Sequence, residues 1–129
     1  MHQNLSIFKL AQAMASHAGT RQAVIAQNIA HADTPGYKPY DVAPFSDMIA
    51  GTTGSNMRAT RARHLHAADA PGAPRVIAAP ADGSGSPNGN GVSIEEQMLH
   101  AVDAKRQHDR ALAIYKSSLG ILRTSLGRR

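Results

Sequence analysis

The sequence predicts a mainly α protein: two long terminal helices forming an antiparallel coiled-coil hairpin, with a Gly/Pro-rich, largely irregular middle segment that holds at most a short helix or strand. Three observations predict it. Apolar and small residues recur at alternating steps of three and four near both ends of the chain. Most of the glycines and prolines lie between those two stretches. No third segment of similar length carries the period, so within one chain the terminal helices have only each other to pack on.

The first helix is expected from about Asn4 to Ala32, roughly 43 Å at the α-helical rise. Phe8, Ala11, Ala15, Ala18, Gln22, Ile25, Ile29 and Ala32 mark its seam, and Ile7, Leu10, Met14 and Val24 widen the apolar face. Gly19 is its one weak point. The helix stops within Asn28-Ile29-Ala30-His31-Ala32-Asp33-Thr34-Pro35-Gly36-Tyr37-Lys38. Pro35 fixes its own φ and pushes Thr34 out of the helical region. Pro35 followed by Gly36 is the pairing a type II turn prefers, because its third position needs positive φ. Asn28, His31 and Asp33 put polar groups into the last turns.

The middle segment, 36–91, loses the period. Gly51–Asn56 and Asp82–Gly91 are flexible by composition, Pro44–Ile49 suggests a short helix and Arg75–Ala78 a short strand. The last segment, 92–129, opens with Ser93 as a helix cap and Glu96 three residues later, a capping box, with Glu95 also favourable to the dipole. Ile94, Met98, Ala101, Lys105, His108, Leu112, Tyr115, Leu119, Leu122 and Leu126 then step by four and three, with Ala111, Ile114, Ser118 and Ile121 alongside. A continuous helix here is roughly 50 Å long. Together 1–35, 36–91 and 92–129 make one helical-hairpin unit, and its apolar stripes are wider than one partner needs, which predicts packing between chains.

Composition narrows the function. The chain has 129 residues, no Trp, two Phe and three Tyr, and much of its hydrophobic fraction is alanine, so a large core is hard to assemble. With no cysteine there is no disulfide, thiolate metal site or thiol nucleophile. His64-Leu65-His66, with Asp69 the nearest acid, falls short of the three or four ligands a zinc site needs. His100 and His108 lie near the second seam, where packing is the simpler role. No phosphate loop, nucleophile elbow or paired carboxylates support catalysis, and no cofactor or small-molecule substrate is expected. A net charge of +5 makes a small basic helical-hairpin module for nucleic acid or another acidic partner the alternative reading. Against it, Arg58, Arg61, Arg63 and Arg75 lie in the loop zone, while Lys105, Arg106, Arg110, Lys116 and Arg123 are interleaved with Asp103 and Asp109. No stacking aromatics accompany them. No apolar run has the length of a signal peptide or a membrane span.

The stretch Asn28-Ile29-Ala30-His31-Ala32-Asp33-Thr34-Pro35-Gly36-Tyr37-Lys38 closely resembles the N-terminal signature of the bacterial flagellar axial proteins, which build rod, hook and hook-associated structures. Asp41-Val42, Thr60-Arg61-Ala62-Arg63-His64-Leu65, Gly91-Val92-Ser93-Ile94-Glu95-Glu96-Gln97-Met98 and Leu122-Arg123-Thr124-Ser125-Leu126 are similar to the pattern of its short proximal-rod members. His31 stands where the family more often has asparagine, and His108 where an aromatic is usual. The resemblance implies a non-enzymatic structural subunit whose terminal helices pack with other rod subunits into a helical tube. It also implies export through the flagellar type III apparatus without a cleaved signal, and a place in the periplasm at the rod base. The export gate and the adaptor protein on the membrane ring are the neighbours implied there. Beside the two seams the resemblance also implies Asn28 and Asp33 as candidates for hydrogen bonds to a neighbouring subunit. On this reading Leu119→Asp or Ile25→Asp stops rod assembly and motility while leaving the protein soluble.

Overall fold

The computed structural model describes residues 2–53, 73–80 and 87–127. The order of elements is α1 (His2–Ala30), β1 (Tyr40–Val42), α2 (Phe45–Thr53), β2 (Val76–Ala78) and α3 (Ile94–Ser125). The protein is mainly helical, with long helices at both ends and a short middle. No helix among the described residues is long and apolar enough to cross a membrane.

α1 and α3 supply most of the packing. The Phe8 ring meets Tyr115 edge-on with centroids 5.2 Å apart, and Asn28 reaches Gln97 at 3.0 Å. Between those two contacts the buried residues are small: Ala11 and Ala18 on α1, Ala104 and Ala111 on α3, with Val24 and Ile25 near the far end of α1. On each helix the two alanines stand seven residues apart, the repeat that brings a helix face back to a partner after two turns. Small side chains at these positions let the two backbones approach closely.

The contact face of α3 is consequently one position off the seam expected from its bulky residues. Gln97, Ala104 and Ala111 are buried, whereas Ile94, Met98, Lys105, Leu112 and Leu126 face outward. Ala101, His108, Leu119 and Leu122 are half-buried beside that face, and Tyr115 touches Phe8 from its edge. On α1, Phe8 and Ala15 are half-buried and Ala11, Ala18 and Ile25 buried, but Gln22 and Ile29 point away, their places taken by Arg21 and Asn28; Ala32 is half-buried in the turn beyond the helix, which ends at Ala30. The phase is set by the close approach of the alanines, and the larger apolar side chains flank the contact.

Two features of the middle segment are more regular than its composition suggests. β2 pairs antiparallel with β1, Asp41 opposite Ile77, and bonds from Ala43 N to Arg75 O and from Ala79 N to Pro39 O extend the pairing at both ends. This ribbon lies on α1 through the buried Val42. Gly51, Thr52 and Thr53 close α2, while Gly54–Asn56, the His64/His66 pair with Asp69, Arg58, Arg61, Arg63 and Asp82–Ser86 lie outside the described residues. At α3 the Ser93 hydroxyl accepts the Glu96 N–H, as a helix cap does.

Gly19 lies inside α1, and a methyl group added there meets no atom within 4 Å. Alanine restricts the unfolded chain and suits the helix better than glycine. Gly19→Ala is expected to raise the stability of the isolated chain by about 0.5–1 kcal/mol, read as a higher urea midpoint at unchanged slope.

Candidate functional site

The end of α1, the turn after it and the entry to α3 meet in one polar junction, and Asn28 is its centre. Its side chain is 1% exposed. The Nδ2 group donates to the Tyr40 carbonyl at 2.7 Å and to Gln97 Oε1 at 3.0 Å, and Oδ1 accepts the Tyr40 N–H at 3.1 Å and the Tyr37 hydroxyl at 3.4 Å. The amide's orientation follows from chemistry, since a backbone carbonyl can only accept and a backbone N–H can only donate. One side chain thus ties α1 to the start of β1 and to the first turns of α3. Its hydrogen bonds are made within its own chain.

The turn after α1 forms as Pro35-Gly36 dictates. Tyr37 N donates to Thr34 O at 3.3 Å across it, and Gly36 at the third position has φ +69°. Asp33, Thr34 and Pro35 are exposed, as are Ile29 and Ala30 just before them. His31 stacks on Tyr37 with centroids 4.7 Å apart and its Nδ1 lies 3.3 Å from the Thr34 hydroxyl, so its ring covers the turn.

A second asparagine closes the junction from the far side of the sequence. Asn90 Nδ2 donates to the carbonyls of Thr34 and His31 at 3.0 Å and also to that of Ala32, while its Oδ1 accepts the Val92 N–H at 2.8 Å. Carbonyls beyond the last turn of a helix have no partner inside it, and here a residue 58 positions on from Ala32 supplies one. Gly36 N donates to Asn88 O and Gly91 N to Tyr37 O, both at 3.1 Å. Asn88–Gly91, expected to be flexible, are stitched to the turn. Sequence reasoning missed Asn90 because nothing local marks it: its partners are created by the end of a distant helix.

Beside the junction, a cleft of about 440 Å³ is lined by His17, Arg21, Asp41, Phe45, Ile77 and Gln107 among others. Arg21 grips Asp41 in a two-pronged ion pair at 3.1 and 3.3 Å, which fixes β1 against α1. His17 is buried, with Nε2 2.7 Å from the Ala43 carbonyl, so Nε2 carries the proton and Nδ1 is a bare acceptor in the neutral ring. Neither His17 Nδ1 nor Gln107 Oε1 has a hydrogen-bond partner among the described residues. Among the described residues, no group of three or more His, Cys, Asp or Glu is placed to hold a metal. The cationic residues Lys105, Arg106, Arg110, Lys116 and Arg123 are all exposed on α3, with Arg106 paired to Asp103 at 3.6 Å.

The α1 end of the junction and the turn after it lie within a stretch that a family model matches. Residues 11–38, from the buried Ala11 through the Pro35-Gly36 turn, match the model of a family described as flagella basal body rod protein. A curated relative, the flagellar basal body rod protein FlgB of Agrobacterium fabrum (strain C58), is 31% identical over 118 residues, covering 89% of this chain and 88% of its own length.

Proposed function

This chain belongs to the flagellar basal body rod protein family, a family of structural rod proteins, and we propose that it is a subunit of the proximal rod that assembles through its terminal helices. The paired α1 and α3, read as an antiparallel hairpin, form the building unit. Helix–helix packing with neighbouring rod subunits completes the burial that one chain leaves unfinished. Its place is the base of the rod in the periplasmic space, beside the adaptor protein and the type III export gate, reached without a cleaved signal.

The observation that supports this reading is the apolar surface of the hairpin. Met98 is 59%, Leu99 69% and Ile121 61% exposed on α3, Leu126 at its C-cap is 78% exposed, and Ile7 and Leu10 are exposed on α1. Single apolar residues on a surface need no explanation, but a series along a helix facing away from its intrachain partner marks a packing face. The contact phase of α3 accounts for the pattern: alanines meet α1 and the large side chains are left for other chains.

The test separates assembly from folding. Met98→Asp combined with Ile121→Asp is expected to leave the helix content and melting of the isolated chain within about 0.5 kcal/mol of wild type, since both side chains are already exposed. The same pair of changes is expected to abolish swimming and recovery of rods when it replaces the wild-type gene. Normal swimming by the double variant at normal protein levels refutes assembly through this face.

A further inference from the structure

The junction contains Asn88-Gly89-Asn90-Gly91, two asparagines each followed by glycine. This pairing undergoes a known spontaneous chemistry, because glycine has no side chain to shield its backbone nitrogen. That nitrogen attacks Cγ of the asparagine, an N–Cγ bond forms, the Cγ–Nδ2 bond breaks and ammonia leaves with the displaced proton. The cyclic imide then takes up water at either carbonyl. Opening on one side gives aspartate, and on the other isoaspartate, in which the main chain runs through Cγ. No oxidant or enzyme is required.

We propose that Asn88 is the site at which the folded chain undergoes this modification, and that Asn90 is susceptible only when the junction opens. The two asparagines are held differently. Asn88 is exposed at the surface. For Asn90 both partners of the reaction are occupied. The Gly91 N–H, which must become the nucleophile, donates to the Tyr37 carbonyl at 3.1 Å. The Asn90 amide, whose Cγ must swing over that nitrogen, is held by bonds to the carbonyls of His31, Ala32 and Thr34 and by the Val92 N–H. Reaction at Asn90 has to wait for a local opening that breaks these contacts together.

The products also differ in consequence. A carboxylate at position 90 cannot donate, and on reclosing it faces the three carbonyl oxygens that the amide had bonded. Modification of an opened chain at Asn90 therefore blocks the return of the junction, whereas modification at Asn88 puts the new charge at an exposed position and, in the isoaspartate form, lengthens the main chain beside the carbonyl that accepts the Gly36 N–H. Closing the junction protects the residue that closes it.

The experiment incubates the full chain in warm, mildly alkaline buffer, alone and in concentrated urea, and follows both positions by peptide mass spectrometry that distinguishes isoaspartate. In the folded chain Asn88 is expected to convert at least about tenfold faster than Asn90, equivalent to about 1.4 kcal/mol of opening free energy. In urea the two rates are expected to be comparable. Asn28→Ala, which loosens the junction from the opposite side, is expected to raise the rate at Asn90 and leave that at Asn88 unchanged. Equal rates in the folded chain, a faster Asn90, an Asn88 that reacts only in urea, or an Asn90 rate indifferent to Asn28→Ala each overturns the proposal.

Discussion

Ile25→Asp is expected to unfold the helix pair. Ile25 is 2% exposed and sits on α1 next to Val24, one turn before Asn28. Loss of a buried isoleucine side chain costs about 2–5 kcal/mol. Aspartate also puts a charge at a position buried to 2% exposure, where ionisation is costly. A small domain with a total stability of about 5–15 kcal/mol loses most of its folded population under such a change. The measurement is helix content by circular dichroism together with a urea titration, and Ile25→Val, costing about 1 kcal/mol, is the conservative control. A cooperative melt close to wild type in Ile25→Asp contradicts the packing described here. The loss of rods in this variant then follows from failed folding, not from a lost contact between subunits, which is why the exposed Met98 and Ile121 make the cleaner assembly test.

Asn28→Ala is expected to cost about 2–4 kcal/mol. The substitution removes four hydrogen bonds at once. Part of the cost is relieved, because Tyr40 and Tyr37 retain some access to water. Gln97, 6% exposed, does not, and an unsatisfied buried group costs about 1–3 kcal/mol by itself. Asn28→Asp sharpens the reading. Gln97 can turn its amide round and donate to the new carboxylate, but the Tyr40 carbonyl, 2.7 Å from Nδ2 in the wild type, then faces an oxygen. The aspartate variant is therefore expected to fall between wild type and alanine at neutral pH. Urea midpoints for the three proteins, at matched slopes, decide the order. An alanine variant within about 0.5 kcal/mol of wild type removes Asn28 from the centre of the junction.

Local chemistry made much of the fold legible. Pro35 and Gly36 specify their turn through fixed φ and tolerated positive φ, and both demands act over adjacent residues. Ser93 caps α3 for an equally local reason. The helix contact phase was not legible, because alanine is ambiguous. With Ala11, Ala13, Ala15 and Ala18 on α1 several seams fit a three–four repeat, and following the bulky residues selects the wrong one on α3. Hydrophobic size indicates burial only where burial is not limited by how closely two backbones approach. β2 falls within the strand expected at Arg75–Ala78, but β1 and its pairing escaped because three residues are too few for an alternating pattern. Asn90 escaped because its function is defined wholly by distant partners.

The alanine contact between α1 and α3 inverts the usual relation between residue size and evolutionary constraint. In an ordinary core the large side chains are the ones that drift least. Here Ala104 and Ala111 are each 1% exposed, and any larger side chain at either acts as a wedge between two main chains. Met98, Leu99 and Leu126 can change freely as far as one chain's own fold is concerned. On the proposed assembly the two kinds of position answer to different demands: the alanines to whether the subunit folds, the large residues to what it is built into.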